Sequence, residues 1–434
     1  MNPSRTALLL LLAIAAAFPL AALEGRIIVT AAVNVPDQFA HILPRRAPTL
    51  PRLDQAVYGQ PVRCHILLTK PALKEGRAAV QGDFTLTDPN GKTISLGRDL
   101  QLLAGRCTTG VFLSPCSVVI IAEPGDPAGE YIVKGEIRDL NDGSRITVSS
   151  PVFHVKEANY PDRALTRSEI SRLITFYYRD PKPHLVPAAF RSFLQWPEPV
   201  EVKGRKREDR RNFLAAFAEL YRLNPQLWDT LPAEALRLTR PDQHRNFAIV
   251  INAIGSDFEE KLRPRLPKQT LDELDQVTAR NPLLFQRVTK PWQLDVLWAR
   301  FFVTGQPGPL RLLVRELGRK NLLTPVEARE FNHGKLNPEK TAGFINYLIV
   351  AAVDWSIGAN MGIHPLVRFY LEADLARGKI TDPTAKLVVQ RHLLRVERQE
   401  AAAARKKQLP KTPASAPPKP SDTPIRKTPD EEKK

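Results

Sequence analysis

The residues best placed to do chemistry are Asp354, Asn360 and His364, an acid, an amide and an imidazole gathered around a Gly358-Ala359-Asn360-Met361-Gly362 break. A carboxylate that holds one imidazole nitrogen frees the other to act as a general base. Asp354 is therefore expected to orient His364, with Asn360 completing the constellation. The alternative is structural: Asp354 bonds a helix terminus and His364 caps the next helix, a service that buried carboxylates perform as often as catalysis.

A second cluster is basic. Lys203, Arg205, Lys206, Arg207, Arg210 and Arg211 are interrupted only by Gly204, Glu208 and Asp209. As a loop at a helix start it is expected to grip an anion, against the alternative of a solvated charged run. Of the three cysteines, Cys107 and Cys116 could close a short loop around Thr108-Thr109-Gly110 as a disulfide. Cys64 alternates with Val62, Ile66 and Leu68 on one strand face and reads as a buried, inert thiol.

Other chemistries lack their signatures. Gly91-Lys92-Thr93 resembles the end of a phosphate loop, but Leu86 stands where the cradle needs a glycine. There is no G-x-S-x-G, H-E-x-x-H, G-x-G-x-x-G or paired C-x-x-C motif. The eight histidines, including His41, His65, His154, His184, His244 and His333, are scattered singly, so neither a metal nor a cofactor is expected.

These residues must be positioned by two kinds of element. From residue 26 to about 156 the apolar pattern has period two, which predicts strands at 27 to 34, 61 to 69, 82 to 87, 92 to 96, 117 to 122, 130 to 138 and 145 to 155. Asp88-Pro89-Asn90-Gly91 and Asn141-Asp142-Gly143-Ser144 supply hairpin turns. Short strands at this spacing predict an all-β immunoglobulin-like sandwich over 23–157. The Pro- and Arg-rich stretch at 44 to 52 reads as an extended surface segment.

Beyond Asn159-Tyr160-Pro161 the period becomes helical, which predicts an all-α domain over 163–404. Thr166-Arg167-Ser168-Glu169 and Thr324-Pro325-Val326-Glu327 are capping boxes. Helices are expected at 188 to 195, 210 to 223, 243 to 254, 269 to 279, 291 to 303, 308 to 318, 338 to 358, 364 to 377 and 383 to 407, with short Pro- or Gly-marked links. All five tryptophans fall here and read as core. The run at 344 to 355 is apolar nearly all round, which predicts the buried central helix of a bundle rather than a membrane span, because Asn346 and Asp354 would be costly in hydrocarbon. No repeat register emerges, so a bundle is preferred to a solenoid of helix pairs.

The ends have their own character. Residues 7 to 18 are unbroken apolar residues behind Arg5, and Pro19 stops them before Ala21-Ala22, the pattern of a cleaved signal peptide over 1–22. Residues 405–434, rich in Pro and Lys, should be disordered. Among 434 residues the formal charge is +17, which favours anionic partners. For a periplasmic or secreted protein these would be an anionic envelope polymer, a lipid surface or another exported protein, with nucleic acid disfavoured. The expectation is an exported, non-enzymatic scaffold, adhesion or partner-binding protein of the cell envelope; the alternative is an envelope hydrolase acting on glycan through its helical domain.

Overall fold

A computed structural model describes residues 23–408 except 44–47, 49, 108–109, 198–200, 203–204, 207–209, 279–280 and 332–337. The expected leader at 1–22, most of the expected tail, and Lys203, Arg207 and His333 lie outside the described residues.

An N-terminal β-sheet region precedes a mostly helical remainder. One sheet has the order β1 (Glu24–Thr30), β3 (Val62–Thr69), β6 (Val111–Ile120). The other runs β2 (Gln55–Val57), β9 (Phe153–Lys156), β7 (Gly129–Asp139), β4 (Arg77–Thr87), β5 (Thr93–Arg106), with β8 (Arg145–Ser149) also on β7. Alternation in both sheets feeds one core: Val29, Cys64, Ile66 and Leu68 from the first meet Val80, Phe84, Val133 and Ile137 from the second. At the β4–β5 turn, Asp88 Oδ1 accepts the backbone N–H groups of Asn90 at 2.9 Å and Lys92 at 2.8 Å. The strand expected at 145 to 155 is interrupted. Pro151 cannot donate to a ladder, and Ser150 Oγ instead accepts the N–H of Val133 at 2.9 Å.

Between β1 and β2 lies a short helix that the period-two reading overlooked, α1 (Val35–Ala40). It docks on the helical part. Buried Asn34 donates through Nδ2 to the carbonyl of Gly305 at 3.1 Å.

The helical part comprises α2 (Arg167–Phe176), α3 (Val186–Leu194), α4 (Arg211–Leu223), α5 (Leu231–Ala235), α6 (Pro241–Ile254), α7 (Ser256–Leu262), α8 (Lys268–Thr278), α9 (Trp292–Thr304), α10 (Pro307–Glu316), α11 (Pro325–Phe331), α12 (Pro338–Ile363), α13 (Pro365–Ala376) and α14 (Pro383–Gln408). Both capping boxes form: Glu169 and Glu327 each accept the N–H of their threonine at 2.8 Å and return their own N–H to its hydroxyl.

These helices enclose two hydrophobic cores. The first gathers α2 to α9 around Phe190, Phe217 and Phe247; the second joins α9, α10, α12, α13 and α14 around Phe301, Val353, Val367 and Val389. The element apolar on most sides is α9, which gives Val296, Ala299 and Val303 to the first core and Leu294, Leu297, Trp298 and Phe301 to the second. The expectation of a central, buried helix at 344 to 355 is therefore corrected. By length and composition Lys340–Ile363 could cross a membrane, but α12 buries only the face carrying Ile349, Val353, Ile357 and Met361, while Leu348, Trp355 and Ile363 face outward. Hydropathy had reported what α12 is made of, and not which side has a neighbour.

Candidate functional site

Asp354 and His364 do not meet. Ten residues of helix at about 1.5 Å each set their backbones on the order of 15 Å apart, and each has found another partner. Asp354 Oδ1 lies 2.6 Å from His392 Nε2, and Arg391 donates to both carboxylate oxygens at 2.6 and 2.7 Å. Burial alone would raise this carboxyl, but the hydrogen bonds from Arg391 and His392 outweigh it and hold Asp354 below the usual carboxylate range. The pairing fastens α12 to α14, and Gly358 lets the His392 ring lie against the α12 backbone.

Neither role foreseen for His364 is filled by its side chain. It is the N-cap residue of α13 yet makes no side-chain capping bond. Its Nδ1 shares a 3.2 Å hydrogen bond with the Tyr178 hydroxyl, and its buried Nε2 has no partner among the described residues. Burial, aided by the Arg179 charge, pushes its pKa down to about 4, so the ring is neutral. Asn360 donates through Nδ2 to the Ser356 carbonyl at 2.9 Å.

The basic cluster is divided. Arg205 and Lys206 form β11 (Arg205–Lys206), paired in a hairpin with β10 (Glu201–Val202). Arg210 donates to the carbonyls of Trp196 and Pro197, and the Arg211 guanidinium stacks 3.9 Å from the Trp292 ring centre. These two arginines hold the start of α4 against its neighbours. The Cys107–Cys116 bridge is also corrected: Cys64, Cys107 and Cys116 are all free thiols. Burial pushes the Cys64 thiol up to about 12, as befits an inert core side chain.

What the structure does assemble is a cleft of about 240 Å³ among α2, α4, α9 and α12. Helix α9 presents Asp295, Trp298, Ala299 and Phe302, spaced i, i+3, i+4 and i+7 along one face. Opposite stand Trp355, Ser356 and Asn360 of α12, while Ser171 and Thr175 of α2 and Asn212 and Phe213 of α4 complete the walls. The rings of Trp298, Phe302 and His364 stack in series, at 5.6 Å and 23°, then 4.6 Å and 24°. Trp298 and Phe302 form the aromatic wall of the cleft, His364 is not among its lining residues, and the second core packs against both rings. Trp298 is 5% exposed, and its Nε1–H finds no acceptor among the described residues.

Trp355, in contrast, is 76% exposed at the rim. Of the predicted residues, Asn360 alone lines this cleft. The α9 spacing was a legible signal for its floor, but nothing in the composition distinguished Trp355 from the four tryptophans that pack inward. Among the described residues, no group of three His, Cys, Asp or Glu side chains is arranged to hold a metal ion.

No family model matches this chain, and no curated protein does. Among solved structures, a family 123 glycoside hydrolase from Clostridium perfringens aligns at 14% identity over 35% of this chain and 32% of its own, with a TM-score of 0.20. A structural-genomics target aligns at 13% identity over 34% of this chain and 95% of its own, with a TM-score of 0.16. The chain thus spans about a third of the hydrolase's length, and likenesses this weak define neither fold nor activity.

Proposed function

We propose that the chain is an exported, non-enzymatic binding protein of the cell envelope, periplasmic or secreted, in which an immunoglobulin-like sandwich serves as scaffold and the helical domain engages a partner. The observation that carries this reading is Trp355, a large apolar ring held 76% exposed beside a cleft with an aromatic wall. An exposed aromatic ring beside a concave, partly polar cleft supports a binding role. The acid and imidazole best suited to catalysis are instead engaged separately, Asp354 with Arg391 and His392, and His364 with Tyr178.

The test is incubation of the purified protein with peptidoglycan, anionic polysaccharide and vesicles of anionic lipid. Co-sedimentation that leaves the polymer intact and is lost in Trp355→Ala supports the reading. Release of soluble fragments would replace it with a hydrolase acting on glycan, and retention indifferent to Trp355 would remove the cleft from it.

A further inference from the structure

The cleft's lining is unlike the molecule around it. The chain carries a formal charge of +17, yet no Lys, Arg or His is among the residues that line the cleft, and its charged member is the carboxylate of Asp295. Its other polar side chains are amides and hydroxyls, Asn212 and Asn360 with Ser171, Thr175 and Ser356. A polyanion drawn to the protein by its overall charge would find no lysine, arginine or histidine among the lining residues.

Two aromatic groups add direction. Trp355 offers an open ring face, and Trp298, nine-tenths buried in the wall, has an indole N–H with no acceptor among the described residues. Amides, hydroxyls and aromatic rings without a lining cation suit an uncharged ligand that is rich in oxygen acceptors and hydroxyl donors and able to lay a C–H face on an indole. At about 240 Å³ the cleft is smaller than the roughly 300–1,000 Å³ of a drug-sized site, which suits a single ring with its neighbours running outward over Trp355.

We propose that this cleft binds a neutral saccharide, one sugar ring lodged between α9 and α12 and the next stacked on Trp355. The proposal rests on the binding function inferred above and specifies its ligand class. The experiment is calorimetric titration of the full chain with cellotetraose and chitotetraose, each at low and high NaCl, using wild type, Trp355→Ala and Asn360→Ala. The expected result is saturable binding that changes less than about twofold with salt, because no ion pair is formed. Affinity should fall at least tenfold in Trp355→Ala, with the melting temperature unchanged because that side chain is mostly exposed.

Absence of saturable binding to either oligosaccharide, or binding untouched by Trp355→Ala, overturns the saccharide assignment. If the same variant nevertheless abolishes retention on anionic polymer or lipid, the binding function stands and only its ligand class has failed. If neither assay depends on Trp355, both fall.

Discussion

His364 is a neutral ring in an aromatic enclosure, and its neutrality has a thermodynamic consequence. Its folded-state pKa of about 4 lies below the ordinary 6.5, so as pH falls the unfolded chain takes up the proton first. Its contribution to stability is complete above about 6.5 and is lost as pH falls through about 4. That gap corresponds to about 3 kcal/mol. Urea midpoints for His364→Phe should therefore depend less steeply on pH between 4 and 6.5 than those of wild type; identical slopes would show that the imidazole ionises freely in the fold. His65, lowered to about 4 by burial and by Arg63, contributes in the same sense and keeps a residual slope in the variant. At Gly358 an added Cβ would stand 2.5 Å from Cε1 and 2.7 Å from Nδ1 of His392, a ring already held by Asp354. Gly358→Ala should cost about 1–3 kcal/mol by overpacking, although alanine is intrinsically the better helix former by about 1 kcal/mol. In a His392→Ala background the same change should become neutral or stabilising. A double-mutant cycle by thermal unfolding checks this, and equal effects in both backgrounds would remove the clash. The sequence made Asp354 conspicuous but hid its partners, because Arg391 and His392 come from a different helix, and spacing within a segment cannot reveal pairs made by tertiary packing.

At the scale of elements, local rules were readable where the local sequence decides the outcome. The hairpin turn at Asp88, both capping boxes and the long helices depend on residues within a few positions of one another, and they form as expected. The failures have a common physical origin. Splitting 145 to 155 into β8 and β9 needed the proline's missing donor to be weighed above the continuing apolar pattern. The position of α12 depended on neighbours: α9, lodged between two cores, occupies the central place, and α12 is left to cover one side. This difference of faces is measurable. Ile357, fully buried in the second core, should cost about 2–5 kcal/mol on truncation to alanine, whereas Trp355→Ala should stay within about 0.5 kcal/mol of wild type. Comparable losses at both positions would mean that the outer face of α12 is also covered.

For the whole molecule, α1 couples the β region to the helical region. His41 Nδ1 lies 2.5 Å from the Asp37 carbonyl, which can only accept, so the ring carries its proton there and offers Nε2 to Arg311. Arg311 also grips Asp374 with two 2.9 Å bonds, and Arg377 donates to the carbonyls of Ala40 and Ile42. Gly305, with φ of +63°, gives Asn34 a place beside its backbone that a side chain would obstruct. Because Asn34, His41 and Asp374 are buried at this junction, neither region can unfold without exposing polar groups that the other satisfies, and calorimetry should show one cooperative transition. Arg311→Ala leaves the buried Asp374 carboxylate without its half-exposed guanidinium, which should cost about 1–3 kcal/mol at a junction that is local. The expected signature is separation of the single transition into two, with the β region and the helical region melting at different temperatures. Two transitions already present in wild type, or a variant indistinguishable from it, would mean that α1 rests on the helices without binding the two halves into one unfolding unit.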